Sequence, residues 1–519
     1  MPLPDADTTW PPTPDAVQSA LADWDAWFSS EADRLAARYD NRTDRRIPLD
    51  RASQYRGGVV GSVARWFWGD PQTPESPESK VHVPIAGDIA RVSARLLFAE
   101  PPTLTAVNSA VTAQLEALTP ALHPVLAEAA EEAAALGGTY LRIVWDGDVA
   151  AEPWIDSVPA DAAAPEFAYG RLKAVTFWRV VSSDGQQVWR HLERHEHGRI
   201  YHGLYEGGLS SLGRPVPLTE SPETAPLASQ VDAEGGLDTG APDHLTAVYV
   251  PNMRPARAWR HIPRARGWGQ SDYQGVEPLM DMLDQTYSSW QRDIINGLGR
   301  IIVPNSMLES NGPGKGASWN SGRSVFTGLD MLQRPGDANP LSVVQFEIRV
   351  QEHSDTANAL VEQIARQAGY SAASFGATTE GPAVTATEIR ARERRSMSTR
   401  ARKALYWGPA LAEILTALLA VMAGPRFRLP VEVETPDVEF QDSVSDSPKE
   451  VAETAALLRQ AEAASTETLV RMQHPGWDDK QVEAEVEAIL GESGRMLTDP
   501  AALGDEQPMP GEQSEQSVP

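Results

Sequence analysis

Residues 357–375 read Ala357-Asn-Ala-Leu-Val-Glu-Gln-Ile-Ala-Arg-Gln-Ala-Gly-Tyr-Ser-Ala-Ala-Ser-Phe375. The apolar residues of the first part recur at intervals of three, one, three and four positions, which keeps them on one face of a helix that begins near Arg349. Gly369 supplies a stop signal for that helix. Small residues then predominate over 371–383, where Phe375 is the one large side chain. The pattern predicts a helix followed by a loop of small residues.

A second and longer helical pattern follows this loop. It opens with Thr385-Ala-Thr-Glu388, a capping-box spacing in which two side chains satisfy free backbone N–H groups. The pattern then runs to Met422. Within it, Gly408-Pro409 predicts a kink, because proline removes one helical hydrogen bond and clashes with the preceding turn. Two long helices in series are more typical of a part that spans an assembly than of a catalytic pocket.

The first half of this long helix is basic, although the chain as a whole is acidic. The basic residues are Arg390, Arg392, Arg394, Arg395, Arg400, Arg402 and Lys403. A solvated helix face would explain such a run. Contacts with phosphate, or with acidic side chains of an adjacent subunit, would explain it equally well. Because the chain is so acidic, pairing across a subunit boundary is the more economical of the two functional interpretations.

The composition excludes several classes of protein. The chain has 519 residues and a net charge of −27, from 45 Lys and Arg against 72 Asp and Glu. Such a charge argues against broad wrapping of nucleic acid, which needs a cationic surface, although an acidic wall would let DNA pass without adhering. The absence of cysteine excludes disulfides, thiolate catalysis and cysteine-based zinc sites.

The most apolar stretch of the chain lies within 404–424. Glu413 and the Gly408-Pro409 pair interrupt it, and its uninterrupted apolar run is well short of the roughly 18 residues that a membrane span needs. We therefore expect no membrane partner.

The segments that flank these helices predict a mixed α+β fold. Apolar residues recur by threes and fours over 276–298, close to a heptad seam, which predicts a further long helix. Strands are expected over 172–181, 187–194 and 199–206. The last two should form an exposed hairpin that turns at His197-Gly198.

Two further segments have a less regular pattern. Residues 207–243 are rich in Gly, Ser, Pro and acidic residues, which predicts a long exposed loop. Residues 428–434 alternate between apolar and charged side chains, which predicts a half-buried strand.

Three motifs come near to catalytic or metal-binding patterns. The run Gly312-Pro-Gly-Lys315 lacks the Ser or Thr that must follow the lysine of a phosphate-binding loop, so it indicates a flexible loop. A histidine cluster could offer metal ligands, but its surroundings are mostly charged and indicate an exposed hairpin. Its members are His191, His195, His197 and His202.

The third motif is a set of acidic residues at Glu432, Glu434, Asp437 and Glu439. Acidic side chains of this kind hold the metal ions of two-metal nucleases. Their spacing of about two residues is more simply that of the solvated face of a strand.

Four segments carry a resemblance to a known family. They are 83–102, 135–145, 269–290 and 385–389, and they contain Val83-Pro-Ile-Ala-Gly-Asp-Ile89, Gly137-Gly-Thr-Tyr-Leu-Arg-Ile143, Gly269-Gln-Ser-Asp-Tyr273 and Thr385-Ala-Thr-Glu-Ile389. In this order they are similar to the portal proteins of tailed bacteriophages, the head-to-tail connectors of phages with long non-contractile tails. The similarity covers about residues 15–490.

The resemblance implies an α+β subunit with an α/β wing, long stem helices, a small mixed clip, a kinked long helix and a helical crown. It implies a ring, usually of twelve subunits, at one capsid vertex in the virion, after assembly in the host cytoplasm. Double-stranded DNA would be packaged and ejected through its channel without sequence specificity. The expected partners are further copies of the chain, the major capsid protein, the terminase motor and the head–tail adaptors. No enzymatic activity and no cofactor is expected.

The resemblance also divides the chain into parts. They are a disordered tail (1–13), the wing (14–270, with the exposed loop 207–243), a stem helix (271–298), the clip (299–348), a second stem helix (349–369), the tunnel loop (370–384), the long kinked helix (385–424), a wing strand (425–445), the crown (446–490) and a second disordered tail (491–519).

Site residues follow from this division as expectations. In the tunnel loop, the residues nearest the DNA would be Ser371, Ser374, Phe375, Thr378 and Thr379. In the clip, the residues that meet the motor or the adaptors would be Asn311, Lys315, Trp319 and Arg323. The basic cluster of the long helix would lie at a subunit boundary or close to the DNA.

Two questions stay open at this point. Phe375 either faces the channel or packs against the neighbouring helices. The chain could also be another structural phage protein, such as a minor capsid or adaptor component, or a metal-dependent enzyme that uses the histidine cluster or the acidic residues.

Overall fold

The computed structural model describes most of the chain. The described residues are 3–31, 34–35, 81–296, 300–304, 326–329, 342–344, 348–375, 386–440, 448–461, 463–474, 477 and 479–492. For 296, 300–304, 326–329, 342–344, 386–392, 448–451, 453 and 492 this description covers the backbone alone. Two compact units result, Met1–Gln441 and Asp442–Pro519.

The chain combines helices with several small sheets, so the expected α+β class is confirmed at this level. The helices of the first unit are α1 (Asp15–Ser29), α2 (Ile85–Phe98), α3 (Ser109–Leu136), α4 (Glu277–Asn296), α5 (Val350–Ala368) and α6 (Ala386–Ala423). Those of the second unit are α7 (Pro448–Gln460), α8 (Thr466–Gln473) and α9 (Asp479–Glu492).

The strands lie in the first unit. They are β1 (Thr103–Thr105), β2 (Gly138–Val144), β3 (Trp154–Pro159), β4 (Ala163–Ala168), β5 (Arg171–Ser183), β6 (Val188–Glu196), β7 (Arg199–Gly207), β8 (Arg214–Val216), β9 (Gly236–Asp238), β10 (Ala247–Pro251), β11 (Arg300–Pro304), β12 (Phe326–Leu329), β13 (Ser342–Val344) and β14 (Asp437–Glu439). Within the expected clip, β11 pairs with β12 in parallel and with β13 in antiparallel register.

The largest sheet contains the predicted hairpin. Its strands run in the order β4–β5–β6–β7–β8, with β9 also paired to β7, and every pairing is antiparallel. The hairpin β6–β7 turns at His197-Gly198 as expected, and Gly198 has a φ of 74°. Its expected exposure is wrong, because His191, His195 and His202 are buried.

Residues 207–243 are also more ordered than predicted. They contain β8, β9 and two short 3₁₀ helices, Leu218–Glu220 and Ala225–Ser229. Thr224 is fully buried, and its hydroxyl donates to the Leu218 carbonyl at 2.6 Å. Hydrogen bonds from polar side chains to the nearby backbone therefore hold this segment in place. Such bonds leave no apolar periodicity in the sequence, which is why the pattern predicted a loop.

The N-terminal arm, residues 3–14, differs from the disordered tail that was expected for 1–13. Its backbone bonds to the segment that follows β7, from Asp7 N–H to the Gly213 carbonyl at 2.9 Å and from Leu212 N–H to the Thr8 carbonyl at 2.9 Å. Trp10 is buried and meets Trp178 edge to face. The apolar surface of one tryptophan thus holds an arm whose composition indicates disorder.

The main core lies between α3, the sheet β10–β2–β3 and the second half of α6. In the described part of the chain, the segment Glu393–Ala423 of α6 is the one helix that is long and apolar enough to cross a membrane. Of its most apolar window, 56% is buried within the fold, and Leu411, Ile414 and Leu415 are fully covered. Pro409 lies inside a continuous helix, and the kink stays a prediction.

The helices α4 and α5 pack side by side. The assignment of 271–298 and 349–369 to the stem stays a prediction. At one end Asp293 accepts hydrogen bonds from Arg349 and His353, and His353 stacks on Trp290. Their seam residues nearer the other end, including Met280 and Ile364, are buried by this same chain. Neighbouring subunits are therefore not needed to cover that part of the seam.

The strand expected at 428–434 is wrong, and the strand in this region is β14, which pairs with β1. Glu434 instead accepts hydrogen bonds from the N–H groups of Val107 and Asn108, at 2.8 and 3.1 Å. Glu432 accepts from the Asn108 side chain at 2.8 Å. Two of the four acidic residues therefore bind the residues that precede α3, where negative charge also suits the helix dipole.

The second unit consists of α7, α8 and α9 in the part that the structure describes. Ser465 caps α8 by accepting from the Thr468 N–H at 3.2 Å. Arg471 bridges Glu467 of the same helix to Asp479, the first residue of α9. The described part of this unit is helical, and its assignment to the crown stays a prediction.

Gly137 provides a test of the junction between α3 and β2. Its φ is +84°, and an added Cβ would lie 3.0 Å from the Ser271 nitrogen and 3.1 Å from the Gly269 oxygen. We expect Gly137→Ala to lower the free energy of unfolding by about 2–3 kcal/mol in chemical denaturation, from backbone strain and crowding together. Gly275→Ala is the control, because Gly275 has a similar φ of +87° but open space around it. Equal losses in the two variants would contradict the close approach.

Candidate functional site

The candidate site lies where the end of α5, the first residues of the expected tunnel loop and the first half of α6 meet. Gly369 ends α5 in the left-handed conformation, and its N–H bonds back to the helix. Ser371 follows, and Ala372–Phe375 form one turn of 3₁₀ helix. We call residues 366–375 the loop root.

Lys403 of α6 lies in the interior beside the loop root. Its amine donates to Asp272 Oδ2 at 2.6 Å, to Ser93 Oγ at 2.6 Å and to the Tyr370 hydroxyl at 2.8 Å. The side chains of Lys403 and Asp272 are 1% and 0% exposed. Burial lowers the pKa of the Lys403 amine, and the Asp272 carboxylate opposes that effect. All three donors of the ammonium group thus have acceptors.

Asp272 is satisfied from several sides as well. Oδ1 accepts from Asn252 at 2.8 Å, and Oδ2 accepts from the Tyr370 hydroxyl at 2.6 Å in addition to Lys403. The Asp272 N–H donates to the Ala134 carbonyl at the end of α3. Burial raises the pKa of Tyr370 well above its ordinary value, so its hydroxyl remains a donor to the carboxylate. This buried polar network joins α2, α3, α6 and the segments around Asn252, Asp272 and Tyr370.

A second row of contacts fixes the rest of the loop root to α6. The Thr399 hydroxyl donates to the Gly369 carbonyl at 2.6 Å. Ser396 is buried, and its hydroxyl accepts from the Ser371 N–H at 2.9 Å and lies 3.0 Å from the Ser374 hydroxyl. The loop root is therefore bound along more than one turn of the long helix.

The structure divides the predicted basic cluster. Lys403 and Arg400 face the interior, where Arg400 donates to the Leu96 carbonyl at 2.7 Å, so these two do not suit a contact with DNA or with another subunit. Arg395 donates to the Arg366 carbonyl and Arg402 to the Arg254 carbonyl, while both side chains remain exposed. Arg394 is exposed. Arg390 and Arg392 lie in α6, but their side chains are outside the description.

Of the tunnel-loop residues, Ser371 is buried, Ser374 is half-buried, and Thr378 and Thr379 lie outside the described residues. Phe375 is half-buried and meets the Tyr370 ring edge to face, with centroids 6.4 Å apart. This contact favours packing against the neighbouring helices over a free position for Phe375. The clip residues Asn311, Lys315, Trp319 and Arg323 also lie outside the described residues.

The histidine cluster forms part of a second buried network. His191 and His202 stack with ring centroids 5.4 Å apart, and His195 bonds to Thr246 at 2.8 Å and to Glu193 at 2.7 Å. Burial lowers the pKa of His191 to about 4, and the neighbouring His202 adds to the effect. Across the ranges that the structure describes, no group of three or more His, Asp or Glu side chains is arranged to hold a metal ion.

The central partners of Lys403 are not evident from the sequence. Asp272, Tyr370 and Ser93 are separated from Lys403 by 131, 33 and 310 positions. The one signal in the sequence was that Asp272 and Ser93 both lie in segments that carried the family resemblance. A resemblance of this kind indicates which segments belong to the family, but it does not indicate which residues contact Lys403.

Comparison with known proteins gives one family. Residues 260–496 match the family model described as phage portal protein, SPP1 Gp6-like. The matched part contains α4 to α9 and β11 to β14, and it includes the loop root and most of its partners. The resemblance to tailed-phage portal proteins is therefore confirmed over these residues. Proteins of that family are structural components of the phage virion and are not enzymes. No curated protein matched the chain.

Removal of the Lys403 charge tests the buried network. We expect Lys403→Met to lower the free energy of unfolding by about 3–5 kcal/mol in chemical denaturation, because it leaves the Asp272 carboxylate buried without its cation. The exposed Arg394→Met on the same helix is the control, with an expected effect within about 0.5 kcal/mol. Lys403→Met combined with Asp272→Asn should recover part of the loss. A double variant no more stable than Lys403→Met would contradict the charge argument.

The histidine pair predicts a pH dependence. Between pH 6.5 and 4 the unfolded chain protonates at His191 and the folded chain does not, so the free energy of unfolding should fall as the pH is lowered through this window. The loss from His191 is roughly 3 kcal/mol, from a pKa that falls from 6.5 to about 4. His202 acts in the same direction. Denaturation between pH 4.5 and 7 should show a smaller slope in His191→Gln and an unchanged slope in His261→Gln, whose side chain is exposed. Equal slopes in all three proteins would contradict this assignment.

Proposed function

We propose that this chain is the subunit of a portal ring at one vertex of a phage capsid. Through its channel, double-stranded DNA is packaged and later ejected. The observation that carries the proposal is the match of residues 260–496 to the phage portal family. The proposed ring has about twelve copies and closes through heterologous contacts, each joining two different patches of neighbouring subunits.

The order of elements in the matched part supports this function. The paired helices α4 and α5 enclose the small sheet β11–β13 along the chain, and α5 is followed by the loop root and the long helix α6. We assign the first pair to the stem, the sheet to the clip and residues 370–384 to the tunnel loop. The loop root is bound firmly to α6, so its position should be well defined in every copy.

The electrostatics of the chain also suits a channel. A subunit with a net charge of −27 gives phosphate groups few sites of attraction, so DNA can slide without being trapped. The small side chains of 371–383 add little bulk and few strong donors on the path of the DNA. We propose Ser374, Thr378 and Thr379 as the residues of this segment closest to DNA.

The remaining site residues follow from the same assignment. We propose that the clip, with Asn311, Lys315, Trp319 and Arg323, meets the packaging motor and later the head–tail adaptors. The wing would meet the major capsid protein. Of the basic cluster, the exposed Arg394 and Arg395 remain candidates for a contact with an adjacent subunit, together with Arg390, Arg392 and Arg402.

The oligomeric state tests the proposed function. We expect mass photometry of the purified full-length chain to show one main species of about twelve copies, and negative-stain class averages along the particle axis to show a central channel. Ring formation should tolerate Phe375→Ala, because the hydrogen bonds of Gly369, Ser371 and Ser374 to α6 remain and hold the loop root without the Phe375 ring. A chain that stays monomeric over a wide range of concentrations, or particles without a channel, would contradict the proposal.

A further inference from the structure

The first unit contains a cleft. Most of the residues that line it precede residue 260, where the match to the portal family begins. The cleft is lined by the N-terminal arm, by the hairpin β4–β5 and by residues 263–268, and its volume is about 1150 Å³. Small-molecule pockets are typically about 300–1,000 Å³, so a cleft of this size suits a segment of polypeptide better. Its apolar lining includes Pro12, Pro165 and Phe167.

The charge of the lining is opposite to that of the chain. Four basic side chains and one acidic side chain line the cleft, which gives a net charge of +3 from 4 − 1. The acidic residue, Glu166, pairs with Arg194 at 2.6 Å, and Arg194 also pairs with Glu196. The other three cations, Lys173, Arg264 and Arg266, are exposed. The remainder of the chain then carries −30, from −27 − 3.

The wall of the cleft contains a hydrogen-bond donor without an acceptor. Trp10 is 2% exposed, and in the part of the chain that the structure describes its indole N–H has no acceptor. Buried donors of this kind normally have partners. The nitrogen is covered by the fold itself, so it offers no donor to an occupant of the cleft, and the charge of the lining is what selects one.

We propose that this cleft receives an acidic segment of a neighbouring copy and forms part of the contact between subunits. The proposal rests on the ring of the proposed function. In a heterologous contact two different patches meet, so a basic cleft on one copy can face an acidic surface on the next. The surface best matched to the cleft is that of another copy, because the rest of each copy is strongly acidic. DNA is the less favoured occupant, since the field of the whole chain repels phosphate before it reaches the cleft.

Charge reversal in the full-length chain tests the proposal. We expect Lys173→Glu with Arg264→Glu and Arg266→Glu to raise the concentration needed for half-assembly about tenfold or more by mass photometry, because three favourable charge contacts become repulsive. The matched control is Arg91→Glu with Arg179→Glu and Arg428→Glu, three exposed arginines outside the cleft that give the same net charge. The control should assemble close to the original chain. Lys173→Arg with Arg264→Lys and Arg266→Lys should also assemble normally.

Cross-linking identifies the occupant directly. Assemblies made from equal amounts of ¹⁴N- and ¹⁵N-labelled chains would be treated with a carbodiimide, which joins an amine to a carboxylate in contact with it. We expect mass spectrometry to find Lys173 joined to an Asp or Glu of a differently labelled chain. Links from Lys173 only within one copy would overturn the proposal.

Two further outcomes would also overturn it. One is equal assembly of the cleft variant and its matched control. The other is duplex DNA binding that the cleft variant loses while its assembly is unchanged, which would identify the cleft as a DNA site. Either result, with the original chain still forming rings, contradicts the cleft contact and leaves the proposed function standing. An original chain that forms no ring contradicts the proposed function itself.

Discussion

The buried ion pair between Lys403 and Asp272 is the interaction on which the arrangement of the first unit depends. The free-energy cost of burying a charge without its partner exceeds the stabilisation that most single contacts provide. The two residues must therefore be buried together. Lys403 belongs to α6. Asp272 lies shortly before α4, and its backbone N–H donates a hydrogen bond to the end of α3. Ser93 and Tyr370 then bring α2 and the end of α5 to the same point. Apolar side chains could fill this space, but they would not require this one register of the segments.

This constraint changes the meaning of the basic run on α6. In the sequence these basic residues form one continuous run, which suggests that they share one surface of the helix. In the structure the row winds around the helix, so Lys403 and Arg400 serve the interior while Arg394 and Arg395 face outward. Ser396 and Thr399, on the inner side, bind the loop root. The helix α6 therefore has two separate roles: it binds the end of α5 and the loop root, and it presents positive charge.

The parts that the sequence predicted well are those governed by local pattern. The helices α4, α5 and α6 and the hairpin β6–β7 follow from apolar periodicity and a glycine turn, which nearby residues determine. The parts that were predicted wrongly depend on contacts that the local pattern does not show. The N-terminal arm is held by Trp10, residues 207–243 are held by side chains that bond to the backbone, and Glu434 binds residues far away in sequence at the start of α3. Local composition contains no signal for such contacts, and so it indicated disorder, a loop and a strand.

Long-range electrostatics also explains why a subunit of the proposed ring would need positive patches. Each copy carries −27, so every copy added to a closed ring increases the repulsion among its neighbours. In the proposed ring, the acidity that would let DNA slide through the channel therefore opposes formation of the channel. Screening by salt reduces the repulsion only beyond roughly 8–10 Å, and charges in direct contact are least affected. Short-range attraction between unlike patches can therefore outweigh a long-range repulsion, provided that the cations are concentrated at the boundaries and kept away from the inner wall. The exposed cations of the cleft, Lys173, Arg264 and Arg266, lie together on an otherwise acidic chain, and we propose that they serve such a boundary.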